Sequence, residues 1–294
     1  MNHIIMPGFD PKPVKYPFGE YTDQHYLIVK KNDGTVFDAN YPYVDNSAPA
    51  RRSSALWRTL LFIAGYPVMR ARLGLRIRGK ENLKKHKEML SGGFLTCANH
   101  VHLWDFMAIM RVLRKRKPHV IIWAPNIRGE NGKMMRGFGG IPMPEGSPKA
   151  TAAFATACTL LLESGEWLHV YPEGSMWEYY RPIRPFKTGA AYFACRTGKP
   201  VLPMAFSYRR PGFIRRKIFG QTALFTLNVG EPLLPDPSLP RREAENDLTV
   251  RMHEAVCRLV GIDPAENPYP PVFDKSRRID YYGAPAPGGK NGTV

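Results

Sequence analysis

The stretch of this sequence best equipped for chemistry is Asn99-His100-Val101-His102-Leu103-Trp104-Asp105. It lies where a short apolar run, Phe94 to Ala98, gives way to a helical pattern opening at Leu103. An imidazole leaving a strand in a loop can meet a carboxylate in the first helical turn if the loop folds back. The carboxylate then fixes the tautomer of the ring and leaves the far nitrogen to take a proton. The start of the helix adds backbone N–H groups and a positive dipole end, suited to a developing oxyanion. By itself the spacing is weak: with 8 histidines in 294 residues, chance supplies His-x4-Asp roughly 0.3 times. None of the remaining histidines shows such a partner.

The elements that must position this pair alternate. Phe94 to Ala98, Val120 to Trp123, Trp167 to Tyr171, Val201 to Ser207 and Leu224 to Val229 read as strands. Between them the pattern predicts helices over Leu103 to Arg116, from Ser147-Pro148 to the stop at Gly165, over Gly189 to Arg196, and over Arg241 to Val260. Strands separated by helices imply an α/β fold with a mainly parallel central sheet flanked by helices. In such sheets ligands bind beyond the C-terminal strand ends, which is where His100 falls.

Further blocks follow in order: Gly139-Gly140-Ile141-Pro142-Met143, Tyr171-Pro172-Glu173-Gly174-Ser175, Phe186-Lys187-Thr188-Gly189 and Val201-Leu202-Pro203-Met204. With Asn99-His100-x4-Asp105, and with Gly79-Lys80-Glu81-Asn82-Leu83 leading in, the series resembles the phospholipid/glycerol acyltransferase family. That family includes the 1-acylglycerol-3-phosphate O-acyltransferases, and the resemblance spans roughly residues 55–230. It implies a glycerol-3-phosphate acyltransferase-like fold in which His100 is the general base and Asp105 its partner. The base would strip a proton from an acceptor hydroxyl that attacks the thioester of acyl-CoA or acyl-carrier protein. It implies no cofactor and no metal, the thioester donor being a co-substrate. Asn99, Glu173, Gly174 and Ser175 match blocks that shape the acceptor site, with Lys187 either an anion contact there or a solvated charge at a helix end.

Two positions depart from the family pattern. Where the second block usually ends in Arg this chain has Glu145, and where the third usually carries Arg it has Met176. Both arginines are associated with an acceptor phosphate, a task suited to the guanidinium fork. Arg181, Arg184 or Arg136 could take over. The acceptor is therefore either a lysophospholipid such as 1-acylglycerol-3-phosphate or a lysolipid without a terminal phosphate.

With 42 Lys+Arg against 25 Asp+Glu, a net charge of +17 calls for an anionic partner. Residues 51–80 hold eight basic and no acidic residues, interleaved with Leu56, Trp57, Leu60, Phe62, Ile63 and Val68. This is the make-up of a basic amphipathic segment at a membrane interface. A second basic run, Arg209 to Lys217, sets Phe213 and Ile214 at its centre, as an inserting tip would. The apolar run Thr59 to Met69 is shorter than the about 20 residues a spanning helix needs. No signal-peptide pattern opens the chain. The expected location is the cytoplasmic face of a membrane, peripheral or monotopic. A nucleic-acid partner is not expected, because the basic runs lack a recognised binding motif or stacking surface. The four cysteines are scattered in apolar surroundings and are expected as buried free thiols. The chain divides into an arm (1–50) with a small hairpin at Tyr26 to Phe37, the basic segment (51–79), the acyltransferase domain (80–260) and a Pro/Gly-rich tail (261–294).

Overall fold

The computed structural model describes Pro11, Val29, residues 32–114 and residues 116–267. Of the first arm of the expected hairpin, Tyr26 to Val29, all but Val29 lies outside the described residues, as does the tail beyond Asn267. The second arm belongs to no strand; its Phe37 is buried in the core instead.

Seven strands build one sheet: β1 (Arg76–Arg78), β2 (Phe94–Cys97), β3 (Val120–Ile122), β4 (Gly140–Pro142), β5 (Trp167–Val170), β6 (Val201–Arg209) and β7 (Leu224–Val229), in the order β1-β7-β6-β2-β5-β3-β4. From β6 through β2, β5 and β3 to β4 every pairing is parallel. At the other edge β7 doubles back antiparallel on β6, and β1 pairs parallel with β7. The fold is thus α/β with a mostly parallel sheet. The basic segment does not end outside it: β1 ties residues 76–78 into the sheet, so the domain begins before residue 80.

Alternation along the strands sorts the apolar side chains onto two faces. Leu95, Cys97, Leu168, Val201 and Ala205 face one core, with the helices α7 (Pro148–Glu163), α8 (Gly189–Thr197) and α10 (Arg241–Val260). Phe94, Trp167, Leu202, Met204 and Phe206 face the other, covered by α2 (Tyr66–Arg72) and α4 (Asp105–Val112). Helix α7 begins on Pro148 and α10 directly after Pro240, and α7 carries the Ser147 cap, whose Oγ accepts from Ala150 N at 3.1 Å.

The basic segment is helical from α1 (Ala48–Leu60) through one π-helical turn, Leu61–Gly65, into α2. Pro67 explains the turn. A proline inside a helix lacks its N–H and pushes against the carbonyl four residues earlier. Widening the preceding turn, with Tyr66 N–H reaching Leu61 O, takes up that mismatch without breaking the rod. Trp57 and Leu61 pack with Phe106, Met110 and Phe138, which fastens the rod to α4 and to α6 (Gly132–Gly137).

Candidate active site

β2 and β5 are neighbours in the sheet, and both loops that carry candidate chemistry leave from their C-terminal ends. The His100 loop follows β2 and runs into α4; the Glu173 loop follows β5. Two main-chain bonds stitch the loops together, Trp177 N to His100 O and Tyr179 N to Val101 O, each 3.0 Å.

Within the first loop the chain folds back as the spacing requires. Asp105 is buried, and its Oδ2 lies 2.8 Å from His100 Nδ1. The same oxygen accepts from Val101 N at 3.0 Å and from His102 N at 3.3 Å, which fixes the loop around the carboxylate. Oδ1 accepts from Tyr171 OH at 2.6 Å. Burial alone would raise the Asp105 carboxyl. The His100 ring beside it and hydrogen bonds from His100, Tyr171 and Val101 outweigh that and hold it below its ordinary value. Burial, with the Asp105 charge added, drives the Tyr171 phenol well above its ordinary range, so it stays a donor. An ionised Asp105 only accepts, so His100 Nδ1 carries its proton and Nε2 is left as the basic nitrogen.

Tyr171 also stacks its ring on that of His100, centroids 3.9 Å apart and 13° between planes. Behind it His169 meets Tyr171 edge-on and holds Thr96 Oγ1 at 2.8 Å through Nδ1. The imidazole is thus fixed by a bond in its plane and a ring on its face. Sequence reasoning missed Tyr171; its one signal is its place directly before Pro172-Glu173-Gly174. His102, the other histidine of the loop, takes Trp104 N–H on Nδ1 at 3.1 Å, and burial lowers its pKa. It faces a different groove from His100.

His100 lines a cavity of about 430 Å³ whose walls are largely apolar, among them Phe106, Ile122, Phe138, Phe154 and Phe193. Gly174, Ser175, Met176 and Lys187 border it too, as does Leu103 ahead of the first turn of α4. Gly174 has φ +80°, and a Cβ there would come within 2.9 Å of Lys187 Cε and Nζ. Glycine at this position therefore brings the lysine side chain against the loop beside His100.

The other residues singled out from the sequence do not line the cavity. Glu173 is buried; it accepts His100 N–H at 3.0 Å, Arg184 N–H at 3.0 Å and Arg184 Nη2 at 3.2 Å. Arg184, also buried, donates from Nη1 to Ser175 Oγ at 2.7 Å, from Nη2 to Ser175 O, and lies over the Trp177 ring. Both its terminal nitrogens are turned to the loop, which it braces as a strut. Asn99 exchanges both its amide bonds with the Phe206 backbone on β6, at 3.1 and 2.7 Å, and anchors the end of β2. Arg181 is half-buried and lines neither the cavity nor the neighbouring groove. Arg136 donates to Ile127 O at 3.1 Å, near the end of α5 (Ala124–Arg128). Glu145 is turned to Arg128, whose Nη2 it meets at 2.9 Å, and is not part of the cavity wall.

Residues 74–207 match the family model for Acyltransferase. No protein with a curated description matches the sequence. Among solved structures, one that matches is the crystal structure of the 1-acyl-sn-glycerophosphate (LPA) acyltransferase PlsC from Thermotoga maritima. The TM-score is 0.43 at 19% identity, covering 72% of this chain and 80% of that one. The region that matches the acyltransferase model contains His100, Asp105 and Glu173, with the strands β2 and β5 whose loops carry them.

Proposed function

We propose that the chain moves a fatty acyl group from acyl-CoA or acyl-carrier protein to the hydroxyl of a lysophospholipid such as 1-acylglycerol-3-phosphate, a step of phospholipid biosynthesis. The observation that carries this reading is a tautomer-locked His100 at the wall of an apolar cavity. Nε2 takes the acceptor's hydroxyl proton as the oxygen bonds to the thioester carbonyl carbon. The tetrahedral species then collapses with cleavage of the C–S bond, and the departing thiolate recovers the proton from the imidazolium. The thiolate is already a good leaving group, so no acyl-enzyme is required. The first turn of α4 stands at the cavity edge and is the proposed source of oxyanion stabilisation. The test is acyl transfer by the purified chain from either thioester to a panel of lysolipids; no transfer to any acceptor overturns the reading.

A specific observation supports a second acceptor class, a lysolipid without a terminal phosphate. The side chain beside His100 where relatives of this type carry arginine is the buried, apolar Met176. Lys187 is the cation that remains on the wall.

We further propose that the enzyme works on an anionic bilayer surface, on its cytoplasmic face, as a peripheral or monotopic protein. Leu56, Leu60, Ile63 and Val68 project from the α1–α2 rod into solvent beside its basic side chains. Among the described residues no helix is long and apolar enough to cross a membrane. Release of the protein from membranes by high salt or carbonate supports this; finding its two termini on opposite sides of a sealed vesicle overturns it.

A further inference from the structure

Between β6 and β7 the chain makes an excursion whose surface chemistry the acyl-transfer site does not use. Its helix α9 (Phe213–Lys217) and the two residues after it leave Phe213, Ile214, Ile218 and Phe219 exposed at 68%, 60%, 70% and 67%. Four large apolar side chains so exposed within seven residues form a patch with nothing packed on it among the described residues. Arg216 and Lys217 stand exposed among them, Arg209 and Arg210 precede them, and no acidic residue occurs from Val201 to Gly230.

The excursion is not a loose loop. Arg215 Nη1 donates to Ala71 O at 3.0 Å and to Gln221 Oε1 at 3.1 Å, while Gln221 Nε2 donates to Ala71 O at 3.0 Å and to Arg72 O at 2.6 Å. These are end carbonyls of α2, which its own helix leaves without partners. At Gly74 the approach is close enough that a Cβ would lie 2.8 Å from Leu224 Cδ2 and 3.2 Å from Arg215 Nη1. The tip is thereby locked to the rod that exposes Leu56, Leu60, Ile63 and Val68. Between α2 and α9 runs an open groove of about 1250 Å³, floored by His102, Leu103 and Trp104. Leu103 borders this groove and the His100 cavity alike. Burial foremost, with the crowding of Arg76, Arg78 and Arg215, lowers Arg209 to about 10.

We infer that α9 with Ile218 and Phe219 is a second membrane-docking element, which together with the α1–α2 rod seats the protein on an anionic bilayer with the α2/α9 groove opening onto the lipid. Apolar side chains ringed by cations match a leaflet that offers hydrocarbon beneath anionic headgroups. A lipid leaving that surface would meet the His100 loop along the groove floor. The inference rests on the membrane reading above, and the test separates the two.

The full chain is incubated with vesicles of phosphatidylcholine alone and of equal parts phosphatidylcholine and phosphatidylglycerol, and bound protein is measured by co-sedimentation. Three double variants accompany it: Ile214→Ser with Ile218→Ser, Arg216→Glu with Lys217→Glu, and Leu56→Ser with Ile63→Ser on the rod. The parent should bind the mixed vesicles, and each α9 double variant should lose about tenfold or more in partitioning with its melting temperature unchanged. The rod variant should lose part of the binding and keep the rest. If the rod variant abolishes binding while both α9 variants bind within twofold of the parent, the rod alone docks and this inference falls while the membrane reading stands. If the parent binds neither vesicle, both fall. If the Ile214/Ile218 variant instead changes the oligomeric state and leaves vesicle binding intact, the patch serves a second copy of the chain, which also overturns it.

Discussion

In the proposed reaction Asp105 acts through His100, from a buried position where its oxygens meet four donors. His100→Ala removes the proposed general base and should lower kcat by about 10²–10⁴ while the protein stays folded. Asp105→Asn presents an amide that can donate where Nδ1–H needs an acceptor, so it should fall into the same range. Tyr171→Phe is the finer probe. It keeps the ring on His100 and deletes one bond, leaving Asp105 Oδ1 buried without it, at about 1–3 kcal/mol. We expect a several-fold loss of kcat with KM little changed; a variant equal to the parent would show that the phenol does not support the pair. The acceptor question also belongs at this scale. Glu145 is exposed and paired with Arg128, so Glu145→Arg should cost at most about 1 kcal/mol and leave the acceptor preference as it was. Met176→Arg puts the guanidinium on the cavity wall and should raise kcat/KM for lysophosphatidate relative to neutral lysolipids. The opposite ranking would move the phosphate site toward Glu145. The His100–Asp105 pair was legible in the sequence because both residues lie in one loop, five apart. Tyr171 is 66 residues from its partner, and only the pairing of β2 with β5 brings the two together.

The Glu173 loop and the His100 loop form one unit, and Arg184 is its rivet. Removing one member of a buried ion pair leaves the other charge uncompensated, typically costing about 3–5 kcal/mol. Arg184→Ala should therefore lower the urea midpoint sharply and reduce kcat through a loosened His100 backbone. A variant of parental stability with a raised KM would instead make Arg184 a substrate ligand. Gly174→Ala combines a strained φ with a clash at Lys187 and should lose activity with a smaller loss of stability. The long elements were readable from sequence: α10 runs from Arg241 to Val260 and α7 from Pro148 to Glu163, each marked by caps and period. Two of the short ones were not. β1 and β4 have three residues each, too few to show alternation, and their place comes from pairing with β7 and β3. The helix expected to reach Arg116 ends at Val112, and Arg116 turns back to the carbonyls of Leu90, Ser91, Gly92 and Gly165. Trp123, read as the end of a strand, is the residue before α5. Nor does hydrophobic patterning reveal that β7 runs against β6, since an inner strand reads alike in either direction.

At the scale of the whole molecule, both faces of the sheet are covered and the layers enclose more than hydrocarbon. His119, His169 and His253 are buried at three places: beside β3, on β5 facing Thr96, and on α10 against Ile183 O, Cys257 and Asn267. Burial foremost lowers them to about 4, about 3 and about 4 from an ordinary 6.5. All three are therefore neutral in the fold at neutral pH. The sign of the linkage follows. Above 6.5 neither the folded nor the unfolded chain protonates these rings, and their burial adds no pH dependence. As pH falls below 6.5 the unfolded chain takes up protons that the folded chain refuses, so stability is lost until pH reaches the folded values near 4 and 3. Each ring contributes up to about 1.4 kcal/mol per pH unit across its window. The guanidinium unfolding midpoint should accordingly be flat from pH 8 to 7 and drop steeply between pH 6 and 4. His253→Gln keeps a polar group that does not titrate in this range, so it should make that drop shallower even if the variant starts from a lower midpoint. Asp105, lowered in the fold, adds its own loss only further down, as pH passes below the ordinary carboxylate range. A midpoint equal at pH 7 and pH 5, or an unchanged slope in His253→Gln, would mean that these rings reach water or a counter-charge in the folded protein, contrary to the closed layers that bury them.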